Sequence, residues 1–134
     1  MSQENIEIVR VAYAAPFGGE EWLAYVEAFV ATDCEIEDRT LPEEAPGLKG
    51  PAAARAEAAQ MLDAFEDVSY AVEDLVDLDD RVLVRVRGSA RGKGSGIRID
   101  GTLGHLWRLR DEKVVRLDVY GTWQEALEAA GLSE

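Results

Sequence analysis

The chain of 134 residues has one cysteine, Cys34, one histidine, His105, four prolines and no long apolar run. A lone cysteine excludes an internal disulfide and fits a reducing compartment. A lone histidine with no spaced set of partner ligands gives no metal site, and no cofactor motif is present, so none is expected. No stretch reaches the ~18 apolar residues of a membrane span. The opening residues Met1 to Asn5 carry neither the basic nor the apolar segment of a signal peptide, so a cytoplasmic location is expected. Basic residues are also scarce: 14 against 27 acidic ones, a net charge of −13. That balance disfavours nucleic acid and anionic membranes as partners. What the chain does have is 47% apolar and 31% charged residues with no internal break, the composition of one globular domain over residues 1–134.

Helical spacing comes first along the chain. A helix is expected from Gln3 to Ala15, capped by Ser2, with Ile6, Val9 and Tyr13 on one stripe, and ended by Pro16, Gly18 and Gly19. A second opens at Glu20 and carries Trp22, Val26 and Phe29 on one face. A short strand, Cys34 to Asp38, alternates so that Asp38 shares the inward face with Cys34 and Ile36. After a loop from Arg39 to Gly50, Pro51 opens a third helix reaching about Phe65, with Ala58, Met61, Leu62 and Phe65 packing. Glu43 and Glu44 in that loop read as a solvated segment or as a lid over a pocket.

Strands follow: Val68–Leu78, Arg81–Arg91, Ile97–Arg110 and Val114–Thr122. A three-residue turn in the first hairpin pairs Glu73 with Arg85, Asp77 with Arg81, Val76 with Val82 and Val72 with Val86, which separates charged from apolar faces. In the last hairpin a three-residue turn pairs His105 with Val119, Trp107 with Leu117 and Leu109 with Val115. Glu112 then occupies a turn position where glycine is usual. Thr122 and Glu125 form a capping box for a short last helix, and Gly131 suits its end. The architecture is α+β: three N-terminal helices on one face of a strongly curved antiparallel sheet, with a short C-terminal helix. Glycines at 88, 101 and 104 fit the bending.

Asp38 and His105 are ionisable groups on apolar strand faces and should pair or meet polar ligand atoms. An aspartate within reach of an imidazole raises the histidine pKa, and such a pair can serve as general base and acid on a carbonyl compound. Tyr13 can add a phenolic donor to a developing enolate. The alternative is a structural Asp–His hydrogen bond. Trp22, Phe29, Trp107, Leu117 and Val119 line the interior, as pocket wall or as plain core. The run Arg81, Arg85, Arg87, Arg91, Lys93, Arg98 reads as a solvated or dimer-facing stripe, and Gly92–Gly96 as a hairpin tip and not a phosphate loop. Cys34 reads as an inert buried thiol.

The order of elements, "IED" after the second helix, "HLWRLRDEKVV" in the last hairpin and "EALEAAGL" at the end resemble the NTF2-like superfamily and its SnoaL-like group over nearly the whole chain. The resemblance implies a cone-shaped, cystatin-like fold and a small-molecule pocket. It puts Asp38 where ketosteroid isomerases carry their proton-moving aspartate and Tyr13 where they carry an oxyanion-hole tyrosine. His105 matches the pocket histidine of SnoaL-like cyclases, whose catalytic aspartate falls here on Val119. The arginine and aspartate of the epoxide hydrolases fall on Val86 and Gly88. The function expected is that of a pocket protein for a small apolar carbonyl compound or metabolite. The alternatives are a cofactor-free isomerase, cyclase or dehydratase, and a non-catalytic dimeric interaction module. The superfamily's habit of packing through the outer sheet face implies a homodimer, here over Leu106, Asp118 and Tyr120 with Arg108 and Arg116.

Overall fold

A computed structural model describes residues 2–40 and 48–132. The elements are α1 (Ser2–Ala14), α2 (Glu20–Phe29), β1 (Val30–Asp38), α3 (Gly50–Ala64), β2 (Phe65–Asp77), β3 (Arg81–Gly92), β4 (Arg98–Arg110), β5 (Lys113–Tyr120) and α4 (Trp123–Ala129). The α+β class and the three leading helices stand as expected. Ser2 belongs to the first helix itself, and β1 begins at Val30, directly where α2 ends, four residues earlier than the alternation pattern marked. Five strands form one sheet in the order β1-β5-β4-β3-β2. All neighbours are antiparallel except β1, which runs parallel to β5 along the edge. No helix among the described residues is long and apolar enough to cross a membrane.

The inner face of the sheet meets α1, α2 and α3. Val82, Val84 and Val86 of β3, with Trp107 and Leu109 of β4, pack against Ile8, Val9 and Ala12 of α1 and Tyr25 and Val26 of α2. Burying side chains of this size contributes roughly 1.5–3 kcal/mol each, which fixes which strand face is inward. On α3, Gly50, Ala54 and Ala58 are the buried positions, and their small size lets the helix backbone lie close to the sheet.

The outer face has its own cover. Leu83 and Leu106 pack beneath Ala126 and Leu127 of α4 and its C-cap residue Ala130. Thr122 caps α4 by accepting from the Glu125 N–H at 3.1 Å, and Gly131 (φ 82°) ends it, as the sequence indicated. A Cβ on Gly104 would lie 2.2 Å from the Ala126 Cβ, so this glycine serves helix docking and not only bending. Leu106, expected at a subunit contact, is thus covered by the chain's own last helix. Asp118 faces outward as expected and binds Arg39 at 3.1 Å and Arg116 at 2.9 Å.

The registers show a consistent departure. In the β4–β5 hairpin His105 faces Val119 and Trp107 faces Leu117, as expected, but Leu109 pairs with Val114. The turn has two residues, Asp111 (φ 52°) and Glu112 (φ 62°), both left-handed as a primed hairpin turn requires, and a bulge after Arg108 restores the expected register below it. The β2–β3 hairpin repeats this. Its tip is tight, with Leu78 N–H donating to Arg81 O at 2.9 Å. Asp77 therefore faces Val82 and Val76 faces Leu83, until a bulge between Val72 and Asp74 returns Val72 to Val86. Glu73 sits in that bulge, still 3.8 Å from Arg85.

Candidate functional site

Strand alternation and register decide which polar groups enter the interior. On β4 the residues that share His105's face are Leu103, Trp107 and Leu109, while on β1 Cys34 and Ile36 share that of Asp38. Val119 of β5 pairs with His105 on one side and with Asp38 on the other. The three therefore form one inward-facing row across β4, β5 and β1. Two strand spacings put the Asp38 and His105 backbones roughly 10 Å apart. The expected Asp–His hydrogen bond is absent: each group has other partners.

His105 is 7% exposed. Its Nδ1 lies 2.6 Å from Tyr13 Oη, and Trp107 Nε1 donates to the same Oη at 2.8 Å. Burial lowers the imidazole to about 4, the reverse of what a neighbouring carboxylate would do. Burial also raises the Tyr13 phenol well above its ordinary range, with the Trp107 bond working the other way. Both groups are neutral at pH 7. An indole nitrogen can only donate. One arrangement that satisfies all three has Trp107 donating to Tyr13 and Tyr13 donating to Nδ1, which leaves the ring proton on Nε2. Nε2 has no partner among the described residues, and His105 borders a cavity of about 380 Å³. With Tyr13 donating to Nδ1, His105 Nε2–H is the donor offered to the cavity; with Nδ1–H donating to Tyr13, the phenol proton is.

Asp38 is 8% exposed and accepts from Thr40 N at 2.8 Å and from the Thr40 hydroxyl. Its other partner is Glu57 of α3, whose side chain is hydrogen-bonded to it. Burial, then the charge of Asp38 and that hydrogen bond, push the Glu57 carboxyl up to about 8. Two facing carboxyls cannot both ionise cheaply, so the pair holds one proton at neutral pH. Tyr70 of β2 lies close enough that burial and both carboxyls raise its phenol.

Glu57 escaped notice in the sequence because a glutamate in a helix normally reads as solvated. The signal was its spacing: it lies three residues after Ala54 and one before Ala58, on the buried face. Trp22, Trp107, Leu117 and Val119 line the cavity. Phe29 does not; it packs on Tyr25 at 5.1 Å between ring centres. Cys34 lines the cavity wall with its thiol pushed up to about 12, chiefly by burial, and is not a nucleophile at neutral pH. Glu43 and Glu44 lie outside the described residues. Among the described residues no group of three or more His, Cys, Asp or Glu is placed to hold a metal ion.

The family model of the SnoaL-like domain matches residues 12–117. The chain belongs to the SnoaL-like family. Solved structures carry the same fold. A SnoaL-like polyketide cyclase candidate from Jannaschia sp. CCS1 superposes with a TM-score of 0.77 at 19% identity, over 89% of this chain and 85% of that one. A protein of ketosteroid isomerase-like fold from Catenulispora acidiphila DSM 44928, in complex with trimethylamine, gives 0.73 at 20% identity, over 95% and 94%. An NTF2-like protein from Burkholderia xenovorans LB400 gives 0.68 at 25% identity, over 90% of each chain. No protein of curated function matches in sequence. This SnoaL-like domain thus has the fold its elements suggested. Its cavity holds a histidine donor and a one-proton carboxyl pair, with apolar Val119 between them.

Proposed function

We propose that this SnoaL-like domain binds a small, largely apolar compound by one acceptor oxygen, a carbonyl, at His105 Nε2. The observation that carries the reading is the closed donor chain from Trp107 through Tyr13 to His105. With Tyr13 donating to Nδ1, the chain of bonds leaves one N–H beside the cavity. A neutral imidazole is a good hydrogen-bond donor to a carbonyl and, unlike an imidazolium, brings no buried charge. The test is calorimetric titration with a cyclic ketone and its parent hydrocarbon. His105→Phe should weaken ketone binding about tenfold, the size of a lost buried hydrogen bond, and leave the hydrocarbon unchanged. Equal loss for both ligands would remove the hydrogen bond from the account.

The carboxyl pair favours a second reading, acid–base catalysis. A ketone held at His105 presents its α-carbon to a cavity that also contains Asp38. The α-proton would pass to the Asp38 carboxylate, the C–H electron pair would move toward the carbonyl oxygen held by Nε2–H, and the proton would return to carbon. In deuterium oxide the bound ketone should then exchange its α-hydrogens, visible by NMR, and Asp38→Asn should reduce that exchange at least a hundredfold. A wild-type chain that binds the ketone but leaves its α-hydrogens in place is a binding protein only.

A further inference from the structure

We propose that the cavity takes an organic cation, a compound whose apolar body carries an ammonium group seated between the Asp38–Glu57 carboxyl pair and a wall of aromatic rings. The inference deepens the reading of the cavity as a small-molecule site and rests on it.

Two independent features of the cavity point the same way. The first is its charge. Among the described residues Asp38 and Glu57 are the only carboxyl side chains lining it, and no lysine or arginine does. The residues outside the described ones contain no lysine or arginine either. Asp38 has Thr40 and Glu57 as partners and no ion pair among the described residues. Buried charges in folded proteins are ordinarily paired. Here a pair of carboxyl groups faces a largely apolar cavity with no basic side chain beside it among the described residues, although the chain has 14 basic side chains, and several of them pair with acids on the outer surface. A ligand that brings the cation completes the site.

The second feature is the wall. Trp22, Phe17, Tyr70, His105, Tyr13 and Trp107 touch in an unbroken chain of rings, each centre 5.1–5.8 Å from the next. All six border the cavity. Aromatic faces carry negative quadrupole potential, and they attract a desolvated ammonium more strongly than an equally large neutral group. An anionic ligand meets repulsion from the carboxyls.

Binding should also move a proton. The titratable groups facing the cavity are Tyr13 on α1, Tyr25 on α2, Cys34 and Asp38 on β1, Glu57 on α3, Tyr70 on β2 and His105 on β4. The phenols and the thiol are pushed up and His105 is pushed down to about 4, so all of these stay neutral from about pH 6 to 8. Among the described residues that face the cavity, only the carboxyl pair is left to change charge in that window. A bound cation favours its doubly ionised form and expels the Glu57 proton.

The experiment compares two ligands: the trimethylammonium derivative of butanone, and the neutral ketone in which carbon replaces the nitrogen. Both are titrated calorimetrically into the full chain at pH 6, 7 and 8. The ammonium compound should bind at least tenfold tighter at pH 7, and its advantage should grow severalfold from pH 6 to 8. Its heat should depend on the buffer's ionisation enthalpy, which reports the released proton. Glu57→Gln should abolish the pH dependence and the proton release while retaining a preference for the cation through Asp38. Equal affinity for the two ligands, or tighter binding of the neutral ketone, overturns the cation proposal and leaves the small-molecule cavity standing. Binding of neither overturns both.

Discussion

Glu57→Gln is expected to abolish a loss of stability that the wild-type chain shows between pH 6.5 and pH 8. The folded chain holds the Glu57 proton until about pH 8, while the unfolded chain releases it near the ordinary 4.5. Between those values the unfolded state binds fewer protons, so folding stability falls as pH rises, by at most about 1.4 kcal/mol per pH unit. His105 acts in the opposite direction. Folded, it stays neutral down to about 4; unfolded, it takes up a proton below 6.5, so its contribution to stability rises with pH over that range. The two slopes offset each other from about 4.5 to 6.5, and above 6.5 only the Glu57 slope remains. Because Glu57 keeps some exposure, the wild-type loss from pH 6.5 to 8 should be about 1–2 kcal/mol. Urea midpoints at pH 5, 6.5 and 8 measure it. The glutamine variant should gain stability from pH 5 to 6.5 and then stay level. A variant that declines with pH as steeply as the wild type would mean that Glu57 is ionised in the folded chain.

The second large effect lies on the opposite face of the sheet. Gly104→Ala places a methyl group 2.2 Å from the Ala126 Cβ, and that partner is fixed to a helix backbone and cannot swing aside. Either α4 lifts from the sheet or β4 gives way. The cost should be about 3 kcal/mol, at the upper end of overpacking penalties. Because the lost contacts are those of Leu83 and Leu106 with α4, the damage should stay on the outer face. Adding Ala126→Gly removes the clashing atom and should recover at least half of the loss, less the helix propensity given up. Denaturant midpoints of the two single variants and the double variant decide this. A Gly104→Ala chain as stable as the wild type would show that α4 is held loosely.

Alternation and helical spacing were enough to place Asp38, His105, Tyr13, Trp22, Trp107, Leu117 and Val119 in the interior, because a side-chain period of two or 3.6 residues leaves little choice of face. They were also enough for Thr122 and Gly131, whose capping chemistry is local. The partners were not legible. Whether Asp38 meets His105 depends on how β1 joins the sheet, and a nine-residue strand next to a helix carries no mark of a parallel pairing with β5. That pairing inserts Val119 between the two residues and turns Asp38 toward α3. Glu57 was missed for the same reason, since its environment is made by a strand remote in sequence. The turn lengths are not legible either, because one continuous apolar face implies a three-residue turn at each tip. The chain keeps that face deeper in the sheet and changes step near the tip.

Those changes of step isolate the hairpin ends from the cavity. At the tip of β4 and β5 the pairing is offset by one residue, and the bulge after Arg108 absorbs the offset before Trp107 is reached. At the tip of β2 and β3 the bulge beside Glu73 does the same before Val72. An added or deleted residue at either end can be taken up by the slack already present, without rotating His105 or Trp107 out of the interior. The alignment of the interior residues is thereby set below the bulges and not by the turns themselves.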